Sequence, residues 1–178
     1  RFYQFWIQVD DRDVIKLLKY YTFLPLEQIA ELETQHNAKP EARTAHKTLA
    51  YEMTKLIHGE EAAQDAIRAS EILFGGSVEG ISENNFADVA SEIPTRNIAP
   101  AELEGEGKSL LELLVTSGLC SSKGQARKDM EAGGIYFFNN RESNIQKKIT
   151  SADLMFGKYL LLRKGKRNYA VLKAVSAE

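Results

Sequence analysis

Residues 121–139 read Ser121-Ser-Lys-Gly-Gln-Ala-Arg-Lys-Asp-Met-Glu-Ala-Gly-Gly-Ile-Tyr-Phe-Phe-Asn139 and predict a short helix followed by a strand. Ser122 is a typical N-cap residue, and Gln125 three positions later completes the capping-box pattern. Gly133-Gly134 predicts the end of the helix, because glycine readily adopts the left-handed conformation found there. The aromatic run that follows favours a strand, and Asn139-Asn140 favours a turn.

The predicted helix has a basic face and an apolar face. Lys123 and Arg127 are four residues apart and share one side, whereas Ala126 and Met130 share another. A capped helix with a basic side, followed by a strand, can hold cations against a phosphate backbone. The alternative interpretation is an amphipathic helix whose basic side is merely solvated.

The composition is that of an ordinary globular protein. The 178 residues are 43% hydrophobic and 27% charged, which allows one large domain or two small ones. Cys120 is the single cysteine, so neither an internal disulfide nor a cysteine cluster for zinc is expected. No apolar run approaches the roughly 18 residues of a membrane span. These features favour a reducing compartment, the cytosol or an organelle matrix, without membrane association.

Charge is distributed unevenly along the chain. Residues 1–104 carry a net charge of −8 and residues 105–178 a net charge of +6. Such asymmetry suits a nucleic-acid contact near one end. Two strands are predicted over 158–164 and 168–175, with Gly165 in a tight turn flanked by four cations. Solubility and protection of an edge strand are the alternative role of these cations. The segment 157–175 contains six cations and no acid: Lys158, Arg163, Lys164, Lys166, Arg167 and Lys173.

The first half of the sequence predicts an all-helical bundle over residues 1–92. Residues 93–108 contain Pro94, Pro100, Gly105 and Gly107 and predict a linker. A second domain over 109–178 begins with a helix capped by Ser109. Apolar spacing, acidic caps and prolines predict helices near residues 2–9, 14–23, 26–34, 40–59, 60–74 and 84–91.

Two independent sets of motifs resemble one known family. Residues 121–139 follow the Ser-x-x-x-Ala-Arg…Gly-x-aromatic-x-x-Asn pattern of S4-type RNA-binding domains. The helical half contains Phe-Tyr-Gln-Phe-Trp-Ile-x-x-Asp-Asp-Arg-Asp-Val and Leu-Ala-x-Glu-Met-Thr-Lys-Leu-Ile-His-Gly-Glu-Glu-Ala. With Arg-Lys-Gly-Lys-Arg-Asn-Tyr at 163–169, the whole chain resembles the C-terminal part of bacterial-type tyrosyl-tRNA synthetases. The start at Arg1, inside an aromatic-rich segment, suggests a piece of a longer protein.

The resemblance implies an α+β fold, an anticodon-binding helical bundle followed by a small S4-like domain. It implies binding of tRNA(Tyr) at the anticodon stem and loop and the long variable arm, in support of ATP-dependent tyrosylation in the cytoplasm. The family is a class I aminoacyl-tRNA synthetase. Its His-Ile-Gly-His-like and Lys-Met-Ser-Lys-Ser-like motifs are absent from this sequence, so no catalytic residue is assigned. ATP and Mg²⁺ would belong to the parent's catalytic domain, with no cofactor here. That domain also carries the parent's dimer interface, so this chain is expected to be a monomer.

The resemblance also suggests roles for individual residues. In the family, an aspartate at the position of Asp10 reads the first anticodon base. The alternative is that Asp10, Asp11 or Asp13 caps the next helix. Gly124 and Asn168 stand where the family often has cations. Tyr136, Phe138 or Tyr169 could stack on a base or belong to the core. Seven cations are implied as phosphate contacts, which position RNA without reading its sequence: Lys123, Arg127, Lys128, Arg163, Lys164, Lys166 and Arg167.

Two other functions fit parts of the sequence. An RNA-modifying enzyme with an S4 domain would need a catalytic aspartate in a sheet-rich domain, which the helical half does not supply. The second is a stand-alone module, either an S4-type RNA-binding module or a protein-interaction module whose basic tail is incidental. His36, His46 and His58 have no ligand spacing, and no metal site is expected. Cys120 has no paired base in the sequence and is a poor candidate for a catalytic thiol.

Overall fold

A computed structural model describes residues 2–176, which form two compact units, the first ending at Ser70 and the second beginning at Glu71. The first is helical and the second combines helices with a mixed sheet, which confirms the predicted α+β class. No helix within residues 2–176 is long and apolar enough to cross a membrane. The helices are α1 (Phe2–Ile7), α2 (Val14–Tyr21), α3 (Leu26–Ala38), α4 (Thr44–His58), α5 (Glu60–Leu73), α6 (Glu83–Ser91), α7 (Leu110–Ser117) and α8 (Lys123–Glu131).

The core of the first unit lies between α2, α3 and α4. Ile29 and Leu32 face inward from α3, as their helical spacing predicts. In α1 the buried side chains are Tyr3 and Ile7, which pack beside Ala50 of α4, whereas Phe5 is 64% exposed. Helix α4 covers the side of this short helix that carries Tyr3 and Ile7, and Phe2 and Trp6 are partly buried against the core between α2, α3 and α4.

The helix predicted from Pro40 onward is interrupted at Arg43. Pro40–Ala42 forms a short 3-10 turn, Arg43 adopts a left-handed conformation with φ of 52°, and α4 begins at Thr44. A left-handed L-residue cannot continue a right-handed helix, so the chain changes direction at Arg43. This change of direction brings Arg43 close to the loop before α2, as described below.

The second unit is built on a five-stranded sheet in the order β1-β7-β6-β3-β4. Strand β1 is parallel to β7, and the remaining pairs are antiparallel. Strands β2 and β5 form a separate two-stranded ladder. Leucines of α7 pack with residues of α8 and the central strands in one core. The strands are β1 (Thr95–Ile98), β2 (Lys108–Ser109), β3 (Ile135–Phe137), β4 (Asn140–Arg141), β5 (Lys148–Ile149), β6 (Tyr159–Lys164) and β7 (Asn168–Ala174).

The segment predicted as a linker, residues 93–108, contains part of this sheet. Thr95 pairs with Val171 and Ile98 with Ala174, and Ile98 is buried in the core. Of the four residues of β1 only Ile98 is buried, so its sequence lacks the apolar alternation typical of a strand. Backbone pairing with the distant β7 places it in the sheet.

Helix α6, predicted as the last helix of the bundle, belongs to the second unit. The ring of Phe86 lies 5.1 Å from that of Tyr159, and Glu83 forms an ion pair with Lys158. Phe86 is fully buried by this packing. The helix itself was predicted within one residue of its observed bounds, whereas its packing partner was not.

Candidate nucleic-acid interface

Helix α8 has sharply defined ends. At its start, Ser122 Oγ accepts a hydrogen bond from the backbone N–H of Gln125 at 3.1 Å. At its end, Gly133 has φ of 73°, and the N–H of Gly134 donates to the carbonyl of Asp129 at 2.9 Å, which is the Schellman pattern. The observed hydrogen bond of the Gln125 side chain is not that of a capping box, since its Nε2 donates to Asp129 Oδ1 at 2.9 Å. The helix therefore holds its side chains in a fixed register.

The tip of the β6–β7 hairpin contacts the end of α8. The N–H of Gly165 donates to the carbonyl of Gly134 at 2.8 Å. Lys164 Nζ lies 2.7 Å from the Asp129 carboxylate, and this contact raises the pKa of Lys164 and lowers that of Asp129. Two segments that the sequence analysis treated separately thus form one continuous surface.

Five cations of this surface form what we call the basic region: Arg127, Lys128, Lys164, Lys166 and Arg167. The Arg127, Lys128, Lys166 and Arg167 side chains are exposed and form no ion pair within residues 2–176. Lys164 is 33% exposed and forms an ion pair with Asp129. Exposed cations without acidic partners are available to neutralise phosphates. Five of the seven predicted cations thus lie on α8 and on the end of the β6–β7 hairpin, two segments that contact each other.

Lys123 differs from these five, because it is already engaged. It forms an ion pair with Glu112 of α7, and this contact lowers the pKa of Glu112. Its side chain is still 64% exposed. Exposed ion pairs of this kind contribute about 0–1 kcal/mol, so a phosphate could compete for Lys123 at modest cost.

Arg163 is not a surface cation, contrary to the prediction. It is 8% exposed, and its guanidinium lies 3.7 Å from the centre of the Tyr136 ring. Its Nε donates to Asn139 Oδ1 at 3.2 Å and its Nη1 to the carbonyl of Gly165 at 2.9 Å. Neighbouring strand residues point to opposite faces of a sheet, so Lys164 faces α8 and Arg163 the other side. Arg163 therefore stabilises the hairpin from within.

Asn139 and Tyr169 connect this side of the sheet to residues 72–76. Asn139 Nδ2 donates to the carbonyls of Ile72 at 3.0 Å and Gly76 at 2.8 Å, and the Tyr169 hydroxyl donates to Ile72 at 3.0 Å. Burial raises the pKa of Tyr169. Of the two roles left open for Tyr169, the structure supports the core role. Asn139, whose sequence predicts only a turn, therefore also joins the sheet to residues 72–76.

The Tyr136 and Phe138 rings are also engaged. Arg163 covers the Tyr136 ring, whose hydroxyl accepts a hydrogen bond from Arg141 at 3.3 Å. Phe138 packs against the core with its backbone in the left-handed region, φ of 46°. Both rings are half-buried and in contact with other parts of the protein.

In the first unit, Asp10 lies exposed in the loop before α2. Its Oδ1 accepts hydrogen bonds from the Arg12 backbone N–H and from Nε, both at 2.9 Å, and its Oδ2 accepts from Nη2 at 3.1 Å. These bonds lower the pKa of Asp10 to about 2. The N-cap position of α2 is Asp13, whose side chain makes no capping bond. Asp10 thus closes the turn with Arg12, a residue that the sequence analysis had not singled out.

Comparison with known proteins identifies the family. The tyrosine–tRNA ligase SYY-like C-terminal domain matches residues 85–172, and the class I tRNA synthetases (W and Y) match residues 1–75. A tyrosine–tRNA ligase of Opitutus terrae is 55% identical over 175 residues, 98% of this chain and 41% of the relative. One of Geobacillus stearothermophilus is 43% identical over 176 residues, 97% of this chain and 40% of the relative.

A solved structure of a tyrosyl-tRNA synthetase C-terminal domain shares 26% identity, covering 58% of this chain and 99% of that domain, with a TM-score of 0.44. The chain spans about two fifths of the length of the curated relatives it matches. Matches to both halves in the same order, with relatives aligned over nearly every residue, show that the chain belongs to the tyrosine–tRNA ligase family of class I aminoacyl-tRNA synthetases and corresponds to their C-terminal part.

Proposed function

We propose that this chain binds tRNA(Tyr) in the cytoplasm and supports tyrosylation by a class I catalytic domain that lies outside the matched region. The observation that supports this proposal is the contact between α8 and the β6–β7 hairpin, because these two segments carry five of the predicted cations. ATP and Mg²⁺ would act in the catalytic domain, and residues 2–176 would contribute RNA affinity only.

The basic region suits the backbone of a folded RNA rather than its bases. Its cations are long, exposed side chains on a rigid helix and a tight hairpin, and the nearby aromatic rings are engaged within the protein. Phosphate contacts of this kind position RNA without reading its sequence. We infer that this surface grips the anticodon stem and the long variable arm, where shape distinguishes tRNA(Tyr).

Base reading is assigned to Asp10 in this proposal. Its carboxylate is ionised at neutral pH, and a carboxylate can accept from the N1–H and the exocyclic amine of guanine. Arg12 occupies both oxygens, so a guanine would have to displace it at least partly. Because the Arg12 side chain is 88% exposed, breaking this exposed pair costs little.

Equilibrium binding over a salt series tests the proposal. The chain should prefer tRNA(Tyr) over a tRNA with a short variable arm and over duplex DNA. With about five phosphates contacted, log K should fall with log salt at a slope of roughly −3 to −5. Replacing Lys164, Lys166 and Arg167 with alanine should flatten the slope and remove the preference.

A triple variant of matched charge provides the control. Lys108, Lys148 and Lys158 each form an ion pair with an acid, and none belongs to the basic region. Their replacement with alanine should leave the salt slope close to that of the parent chain. Weak binding that is equal for all three nucleic acids and insensitive to salt would overturn the proposal and favour a protein-interaction module.

The family's dimer interface belongs to its catalytic domain, so this chain is proposed to be a monomer. Sedimentation at micromolar concentration should give a single species near the 20.0 kDa of the chain. A stable dimer would contradict this part of the proposal without affecting RNA binding.

A further inference from the structure

Three alternate carbonyls around Asp10 are held by side chains from other parts of the first unit. We call residues 8–13 the Asp10 loop. The carbonyl of Ile7 accepts a hydrogen bond from Arg43, that of Val9 from His46 Nε2 at 3.1 Å, and that of Asp11 from His36 Nε2 at 3.0 Å. The backbone is thus fixed immediately before and after Asp10, whose carboxylate remains exposed.

The two histidines reach the loop from the apolar faces of their helices. His36 follows Ile29 and Leu32 on the buried side of α3, and His46 precedes Leu49 on the buried side of α4. His46 is fully buried and His36 is 8% exposed. Their ring centres lie 5.4 Å apart. The helical spacing of His36 from Leu32, and of His46 from Leu49, indicates in the sequence that both histidines face inward.

The hydrogen bonds determine the form of each ring. A carbonyl only accepts, so Nε2 must carry the proton in both histidines. Nδ1 of each ring is buried and has no hydrogen-bond partner within residues 2–176. Both rings therefore act as Nε2–H donors. The charged groups near His46 are Arg43 and Asp11, and Asp11 Oδ1 also lies 3.1 Å from its Nε2.

We propose that His36 and His46 are positioning residues for base recognition, which they support by fixing the Asp10 backbone. A recognition group contributes most when it is already held in the geometry of the complex, since ordering it on binding costs free energy. Two buried donors at the carbonyls of residues 9 and 11 provide that order. This inference rests on the proposed role of Asp10 and goes beyond it by assigning specificity to two buried side chains.

The test compares anticodon stem-loops that carry guanosine or inosine at the first anticodon position, because inosine lacks the exocyclic amine. The intact chain should favour guanosine by about tenfold, the worth of roughly one charge-assisted hydrogen bond. His46→Leu and His36→Leu keep much of the volume and remove the donor. Each should reduce the preference to about twofold while the salt dependence of binding stays unchanged.

Glutamine variants separate positioning from simple packing. His46→Gln and His36→Gln keep an N–H donor near the Nε2 position and should retain most of the guanosine preference. If His46→Leu does not fold, as its circular dichroism would show, His36→Leu tests the same inference from the other carbonyl. Leucine variants that fold and retain the full preference would overturn the inference.

Asp10→Asn distinguishes failure of this inference from failure of the proposed function. If Asp10→Asn retains the guanosine preference, or if the parent chain shows none, Asp10 does not read this base. If Asp10→Asn loses the preference and the folded leucine variants keep it, Asp10 reads the base without help from the histidines. Loss in Asp10→Asn and in both leucine variants, with recovery in the glutamine variants, would support both.

Discussion

Lys164 Nζ of the hairpin lies 2.7 Å from the carboxylate of Asp129 on α8. This pair joins the two segments that supply the basic region, and it places an acid where a phosphate would approach. The same carboxylate accepts hydrogen bonds from Gln125 at 2.9 Å and from the Cys120 thiol at 3.5 Å. Burial together with this acid raises the pKa of Cys120 to about 11, so the thiol stays protonated at neutral pH.

Asp129→Asn should increase the affinity for tRNA(Tyr). The substitution releases Lys164 and removes one negative charge from the basic region, and a gain of roughly 1 kcal/mol corresponds to about threefold to fivefold in Kd. Binding at fixed salt measures the effect. Glu131→Gln removes an exposed acid of the same helix that has no ion-pair partner within residues 2–176 and is the control. Equal gains in both variants would show that the Lys164 contact is immaterial.

Lys166→Ala should weaken the salt dependence of binding more than Lys123→Ala does. Lys166 has no acidic partner within the described part of the chain, whereas Lys123 is paired with Glu112. Loss of one phosphate contact changes the slope by roughly 0.7 to 0.9. Titrations at several salt concentrations give both slopes. An equal or larger change for Lys123→Ala would mean that its pair with Glu112 opens on binding.

Arg163→Ala should destabilise the second unit by about 3 kcal/mol, because it removes charge-assisted hydrogen bonds and a buried cation–π contact. Arg167→Ala, four positions later and exposed, should change stability by less than about 0.5 kcal/mol. Urea denaturation of each variant measures the difference. If both substitutions change the free energy of unfolding by a similarly small amount, Arg163 does not stabilise the hairpin.

Unfolding should become easier as the pH falls below about 6.5, in part because of His46. Burial lowers the pKa of His46 from the model-compound value of 6.5, with a smaller contribution from Arg43. The unfolded chain therefore takes up a proton at a pH where the folded ring does not, and the free energy of unfolding decreases with falling pH, by at most about 1.4 kcal/mol per pH unit. Well above pH 6.5 the ring is neutral in both the folded and the unfolded state, and the contribution is constant.

His46→Gln should remove this part of the pH dependence, as denaturation midpoints measured between pH 5 and 8 would show. His58 is exposed at the end of α4, so His58→Gln serves as the control and should keep the dependence. If the curve of His46→Gln parallels that of the parent chain, the buried ring does not resist protonation.

Local signals in the sequence predicted the local structure of the candidate site. Ser122 and the two glycines set the ends of α8, and Gly165 marks the β6–β7 turn, because caps and tight turns depend on residues close to one another. Asp129, the acid that pairs with Lys164, also lies within α8. The strand pairing of the β6–β7 hairpin with β3 brings Lys164 to it.

Contacts between distant residues explain what could not be predicted. Arg163 is buried against Tyr136 and Asn139, which come from another part of the chain, and nothing near Arg163 in the sequence indicates this. Strand β1 is recognisable only beside β7, and the donors to the Asp10 loop come from residues 25 to 37 positions away. Burial and pairing of this kind depend on the folded structure rather than on local spacing.

The order of strands in the sheet also bears on how the protein folds during synthesis. Strands β6 and β7 are the last to be made, yet they lie between β1 and β3 in the sheet. Before residue 174 has left the ribosome, β1 has no partner, and Ile98 has no completed core to enter. Sheets that depend on such distant pairings form slowly. We therefore expect the first unit to fold while translation continues and the basic region to form later.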